Sequence, residues 1–267
     1  MSSSWSPAFA AAVHAALVRR CPPAAGGGAL AELSQALVEA LERGELDLPL
    51  TSTRAAVARA SGWLEGDDSL LLQRGDRIGW RRWLEAMENV VEQLLERQPP
   101  SLSAPLVTAE PTSTLNAEQQ AAVLAMDEAA VVLLSGGPGT GKTSTVVELL
   151  RRASQRHPTL RIGLAAPTGK AARRLGDAVR PGLNELPCFT LHRWLEAAGE
   201  GFRRHRQRPL ELDLLVIDEM SMVDLELMSA LLEALPDACR LVLVGDPAQL
   251  PPVGSGAVWQ RLMDQIG

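Results

Sequence analysis

The spacing of apolar residues changes part-way along this chain. In the first part they recur at helical intervals. Phe9, Val13, Ala16 and Leu17 share one helical face, which Pro22-Pro23 and Gly26-Gly27-Gly28 bring to an end. Leu30, Leu33, Leu37, Val38 and Leu41 form a second stripe that stops at Gly44. Ser69–Gln73 and Arg77–Trp80 flank Arg74-Gly75-Asp76 and predict a short hairpin. Trp83, Met87, Val90, Val91, Leu94 and Leu95 predict a third helix. These stripes read as core, with a remaining patch expected to dock onto a partner. Pro and Ser then concentrate over 99–114 and periodicity stops.

Beyond that stretch the pattern becomes one of short unbroken apolar runs, Val131–Leu134, Ile162–Ala166, Leu214–Ile217 and Leu241–Val244, separated by helical segments. Runs of this kind predict strands of a parallel sheet buried on both faces. The expected architecture is α/β, preceded by a small, mainly helical domain. The expected boundaries are a helical protein-interaction domain over 1–105, a linker over 106–112 and a nucleotide-binding domain over 113–267. In such sheets function gathers at the carboxyl ends of the strands.

The first run ends in Gly136-Gly137-Pro138-Gly139-Thr140-Gly141-Lys142-Thr143, which fits the phosphate-loop pattern G-x-x-x-x-G-K-[ST] at every position. A strand precedes it and a helix is expected over Ser144–Arg152, the context the motif requires. Glycines let backbone N–H groups wrap a polyphosphate, and the helix N-terminus adds a favourable dipole. Lys142 is expected to reach the β- and γ-phosphates and Thr143 to ligate Mg²⁺. The chain has only two lysines, Lys142 and Lys170, beside 24 arginines. A site that keeps lysine in such a background needs a compact ammonium with rotatable donors.

Leu214–Ile217 runs into Asp218-Glu219. After a phosphate loop this is the layout in which Asp218 holds the Mg²⁺ shell and Glu219 deprotonates the attacking water. Gly245-Asp246-Pro247-Ala248-Gln249 follows the last run, and Gln249 is a neutral amide suited to report the γ-phosphate. Gln119, beside a helix start capped by Asn116, has the two groups needed to bond the edge of adenine. Thr168 and Lys170 follow the second strand run and are candidates to grip a nucleic-acid phosphate; His192 or Trp194 offers a stacking face, and Trp194 reads equally as core. Arg203-Arg204-His205-Arg206-Gln207-Arg208 is the densest basic run and reads equally as a solvated turn.

Charge narrows the classes. The net charge is −6, so nucleic-acid affinity must come from a local patch. Cys21, Cys188 and Cys239 show no C-x-x-C spacing, and the four histidines are scattered, which argues against a zinc site or a disulfide frame. No run approaches a membrane span and the N-terminus lacks a signal-peptide layout, so a cytoplasmic protein is expected.

The ordered set over residues 115–256 resembles the first motor domain of superfamily 1 DNA helicases. The match runs from the glutamine motif at Leu115–Gln119 through Gly136–Thr143, Ala166–Ala171, Thr190-x-His192 and Asp218-Glu219 to Gly245-Asp246 with Gln249. Within that superfamily the wording is most similar to the RecD family, the alpha subunits of exodeoxyribonuclease V. The resemblance implies a RecA-like P-loop fold and ATP with Mg²⁺ as cofactors, the nucleotide held by Gln119, Gly136, Gly137, Pro138, Gly139, Thr140, Gly141, Lys142, Thr143 and Ser144. Lys142, Asp218, Glu219 and Gln249 are the implied catalytic set, Thr143 and Asp218 the Mg²⁺ ligands, and Thr168, Lys170 and His192 the contacts to single-stranded DNA. RecB- and RecC-like subunits are the implied partners, and 5′-to-3′ translocation the implied activity. These helicases carry a second RecA-like domain that supplies arginine to the transition state. The chain stops at Gly267, so an N-terminal fragment with little turnover of its own is expected. The alternatives are a non-catalytic piece anchoring to a RecC-like partner, and part of a stand-alone RecD-like helicase.

Overall fold

The computed structural model describes residues 7–25, 27–97, 115–181, 183, 186–199, 201–249 and 256–266. The expected linker at 106–112 lies outside them. The chain divides into two units, Met1–Asn89 with Pro251–Ala257 and Val90–Leu250 with Val258–Gly267.

In the first unit, α1 (Pro7–Arg20) and α2 (Gly27–Glu42) are the helices their stripes predict. The second begins inside the glycine run. Leu30, Leu33, Leu37, Val38 and Leu41 are all buried, so that face is core. Strand β1 (Asp47–Pro49) and helix α3 (Ser52–Ala60) follow, the helix capped by Thr51, whose side chain accepts the Arg54 N–H. The hairpin is present as β2 (Leu71–Arg74) and β3 (Arg77–Trp80), and β1 joins it to give the antiparallel order β1-β3-β2. Gly79 sits where a Cβ would run into the Leu46 carbonyl. Trp63 seals this core, its indole N–H donating to the Cys21 carbonyl at 3.0 Å. Helix α4 (Arg81–Leu95) contains the division between the units.

The second unit continues with α5 (Ala117–Glu128), β4 (Val131–Ser135), α6 (Lys142–Arg156), β5 (Ile162–Ala166), α7 (Gly169–Val179) and β6 (Cys188–Thr190). A short helix α8 (Leu191–Trp194) leads to a small antiparallel pair, β7 (Ala197–Ala198) and β8 (Gly201–Phe202). Then come β9 (Leu214–Ile217), α9 (Leu225–Ala234), β10 (Arg240–Gly245) and α10 (Val258–Ile266). Five strands form one parallel sheet in the order β4-β10-β9-β5-β6. This is an α/β RecA-like P-loop fold.

Burial explains the unbroken apolar runs. Every residue of β5, β9 and β10 is buried, as strands covered on both faces require. The edge strands differ: β4 alternates and β6 is half-buried throughout. One face packs Val132, Leu164, Val216 and Val242 against Val123 and Met126 of α5, Leu149 and Leu150 of α6 and Leu175 of α7. Gly245 ends β10 where a Cβ would enter the Trp259 ring. Two arginines satisfy backbone carbonyls, one at the end of α5 and one in the turn that follows α9. Arg240 donates to the Met126 and Ala129 carbonyls behind α5, and Arg97 donates to Pro236 O at 2.9 Å and Cys239 O at 3.0 Å behind α9.

Helix α6 is braced by Glu148, which accepts from Arg151 at 2.8 Å and from the buried Arg152 at 2.8 Å. These bonds, that from Arg151 first, pull the Glu148 carboxyl down to about 2. A depressed carboxyl stabilises the fold fully above the ordinary glutamate range and loses that stabilisation as pH falls towards the depressed value. Glu148→Gln is therefore expected to cost on the order of 2 kcal/mol in urea unfolding at pH 7. At pH 3 the gap should be distinctly smaller; a gap that is the same at both pH values would contradict the ion-pair account.

Candidate nucleotide and nucleic-acid site

The turn between β4 and α6 is built on two left-handed residues, Gly139 at φ 76° and Gly141 at φ 83°. Side chains rarely adopt this conformation, so both positions require glycine. Thr140 Oγ1 closes the turn by donating to Gly137 O at 2.9 Å. Gly136 N–H donates to Gly245 O at 3.3 Å, which ties the loop to the end of β10. Gly141 caps α6 without a side-chain hydrogen bond, so no side chain of the cap residue competes for the N–H groups of the first turn. Lys142 Nζ donates to the Gly136 and Gly137 carbonyls, the latter at 2.9 Å, and so lies over the loop. Pro138 is exposed at the turn; Thr143 is half-buried and Ser144 exposed in the first turn of α6.

Gln119 lies beside this loop. Its Nε2 donates to Thr140 O at 3.2 Å, and its Oε1 accepts the Asn116 N–H at 3.0 Å in a reciprocal capping box. Each end of the carboxamide thus has one protein partner and keeps one N–H and one lone pair for a base edge.

Asp218 follows β9, and its N–H donates to Ala165 O at 2.9 Å. Burial pushes its carboxyl above the usual aspartate value, and the Glu219 charge adds to the rise; the Glu219 N–H bond, Arg174 and Lys142 oppose it. Asp218 Oδ1 accepts the Glu219 N–H at 2.9 Å. Glu219 itself is left-handed at φ 58° and ψ 44°, a conformation that costs a non-glycine residue on the order of 1–3 kcal/mol. The short 3₁₀ turn Met220–Met222 follows at once. Gln249 stands in the loop after β10, next to β9 in the sheet, and its Oε1 accepts from Ser221 Oγ at 2.9 Å. The fold therefore brings Lys142, Asp218, Glu219 and Gln249 to the carboxyl ends of the neighbouring strands β4, β10 and β9.

Among the described residues no group of three or more His, Cys, Asp or Glu side chains gathers to hold a metal. A cation here would depend on the Thr143 hydroxyl, the Asp218 carboxylate, phosphate oxygens and water, a ligand mix that suits Mg²⁺. Asp218 fits that role, because a nearby cation would relieve the burial penalty on its charged form.

The nucleic-acid candidates sit over the other half of the sheet, where β5 and β6 pair with Ala166 opposite Thr190. Thr168 caps α7, accepting the Ala171 N–H at 3.2 Å, and Lys170 is exposed in the first turn. His192 is exposed on α8, its ring centroid 6.0 Å from that of Phe202. Trp194 faces inward: its indole N–H donates to Leu164 O at 2.8 Å and its ring packs edge-on to Phe189. In the basic run, Arg204 and Arg208 both pair with Glu196, leaving Arg203 and Arg206 exposed. Sequence reading missed Ser221, a buried polar residue, and named Gly245 and Asp246 only as part of the Gln249 motif, without the Gly245 carbonyl's bond to the loop or the burial of Asp246. The only signal of Ser221 was position, two residues beyond Asp218-Glu219.

A family model described as AAA domain matches residues 119–255. The chain is 41% identical over 215 residues to the RecBCD enzyme subunit RecD of Mycobacterium tuberculosis, which covers 74% of this chain and 36% of that protein. It is 45% identical over 142 residues to the ATP-dependent RecD2 DNA helicase of Deinococcus radiodurans, covering 52% of this chain and 19% of that one. The chain thus spans about a third or less of the length of these relatives. Among solved structures it is similar to a Pif1 helicase from Candida albicans, with a TM-score of 0.40, 23% identity, and coverage of 56% of this chain and 38% of that one. With the phosphate loop, the paired acids and the glutamine loop standing inside the matched span, the chain belongs to the AAA domain family and is a homologue of RecD.

Proposed function

We propose that this chain is the ATP-binding motor part of a RecD-type 5′-to-3′ DNA helicase subunit, working in a double-strand-break repair nuclease complex. The observation that carries the reading is the convergence of Lys142, Asp218, Glu219 and Gln249 at the ends of adjacent strands. Identity to RecD across the same span supports it. The loop amides and Lys142 bind and orient the polyphosphate of ATP. Thr143 and Asp218 would hold Mg²⁺, which would supply positive charge to offset that of the phosphates. Glu219 takes a proton from the attacking water, its backbone held by the Asp218 carboxylate. Gln249 reports the γ-phosphate. The resemblance assigns the transition-state arginine, a contribution of about 10³–10⁵ in rate, to a second RecA-like domain.

Single-stranded DNA is the polymer the motor tracks, held by Thr168, Lys170 and His192 beside the nucleotide site. RecB- and RecC-like subunits are the proposed partners. The helical unit, which has its own core and carries none of the site residues, is the proposed anchor to a RecC-like surface.

Calorimetry tests the nucleotide reading. Mg²⁺-ATP should bind the 267-residue chain, and Lys142→Ala should abolish binding while the unfolding temperature stays within a few degrees. Equal affinity in the two proteins would remove the loop from the account. Steady-state ATP hydrolysis should remain near background with or without single-stranded DNA, and brisk DNA-stimulated turnover would contradict the assignment of the arginine to another domain. Single-stranded DNA binding should weaken as salt rises, and Lys170→Ala should lower the salt slope by about one counterion; an unchanged slope would place the track elsewhere. Removal of residues 1–105 should abolish co-purification with a RecC-like subunit, and persistence of the complex would move the docking surface to the motor domain.

A further inference from the structure

Ser221 is a buried polar residue, only 4% exposed, three positions beyond Asp218. Other buried serines satisfy their hydroxyls on nearby backbone: Ser34 donates to Leu30 O at 2.9 Å and Ser61 to Ala58 O at 2.8 Å. Ser221 instead bonds the side chain of Gln249 at 2.9 Å. The turn that presents it is well fixed. Met222 N–H donates to Glu219 O and Val223 N–H to Met220 O, each at 3.0 Å.

The loop beneath Gln249 is held separately. Asp246, 3% exposed, accepts the Ala248 N–H at 2.9 Å through its carboxylate, and its carbonyl accepts the Gln249 N–H at 3.3 Å. With the backbone tied in this way, the carboxamide is the part left to be oriented. A carboxamide has chemically opposite ends: its NH₂ attracts an anion and its oxygen repels one. The Ser221 hydroxyl occupies the oxygen and leaves the Nε2 protons as the end available to an anion.

We propose that Ser221 is a positioning residue that sets the Gln249 carboxamide with its N–H end toward the terminal phosphate, so that the site distinguishes a nucleoside triphosphate from a diphosphate. The inference rests on the reading that the phosphate loop holds nucleotide. It adds a direct bond between the glutamine that reports the γ-phosphate and the turn that aims the Glu219 base. A change at either side chain is thereby passed to the other without passing through the sheet.

The test uses the 267-residue chain, Mg²⁺, a fluorescent diphosphate and its non-hydrolysable triphosphate counterpart. Ser221→Ala should leave the diphosphate Kd within about twofold and cut the preference for triphosphate roughly five- to tenfold, within the range of an ordinary hydrogen bond. Ser221→Thr, which keeps the hydroxyl, should restore the preference. The double variant Ser221→Ala/Gln249→Ala should lose no more than Gln249→Ala alone, because the two act as one unit. Full preference in Ser221→Ala, equal weakening of both nucleotides, or independent losses in the double variant would each overturn the proposal. Gln249→Glu covers the case in which Ser221→Ala does not fold. Its carboxylate still accepts from Ser221 but offers no N–H, so it should reverse the preference toward diphosphate, and retention of the triphosphate preference would again overturn the proposal. Failure of the parent chain to bind either nucleotide is visible before any variant is compared; it contradicts the nucleotide reading and removes this inference with it.

Discussion

The chemistry proposed for this chain depends on one backbone constraint. Between β4 and α6 the chain must turn sharply and start a helix whose first N–H groups face a ligand instead of a capping side chain. Left-handed residues at 139 and 141 make that turn, and only glycine adopts them without strain. A serine or aspartate cap would satisfy the helix end but would compete for the anion. Gly141 leaves the helix end without a side-chain cap, and Lys142 adds a positive charge beside it. The turn is further pinned where Gly136 bonds the Gly245 carbonyl, so the loop's position is set by the pairing of β4 with β10.

Two energetically costly features lie close to that loop. Asp218 is a carboxylate whose charged form burial disfavours, and Glu219 holds a left-handed backbone. Each would be eliminated at a position where stability alone mattered. They persist because β9 is buried from end to end and the following turn is fixed by its own hydrogen bonds. A phosphate-bound cation would offset the first cost, and the role proposed for Glu219 as a base would account for the second. The nucleotide-site candidates occupy the β4-β10-β9 side of the sheet and the nucleic-acid candidates the β5-β6 side. The two groups are therefore joined by neighbouring strands of one rigid layer.

Much of this was legible in sequence, for physical reasons. Strands buried on both faces must be apolar without interruption, so Ile162–Ala166 and Leu214–Ile217 were read with the bounds the structure has. The hairpin at Gly75 and the buried stripe of α2 were equally plain. Short and half-buried elements were not. β6 has three residues and no buried face, and α3 buries only Ala58, so neither leaves a periodic signal. Trp194 had two readings, and its bond to Leu164 O decides for the core. The partner of Gln249 could not be read at all, because Ser221 reaches it only once β9 and β10 lie side by side.

The central claim is that a nucleoside triphosphate is held by residues from three adjacent strand ends acting together. Backbone hydrogen exchange of the 267-residue chain, with and without Mg²⁺ and a non-hydrolysable triphosphate, tests it directly. The account predicts slowed exchange over 136–145, 218–222 and 246–249 together, with 168–171 and 190–193 unchanged. Slowing confined to the ends of β5 and β6, or none at all at saturating nucleotide, would contradict it.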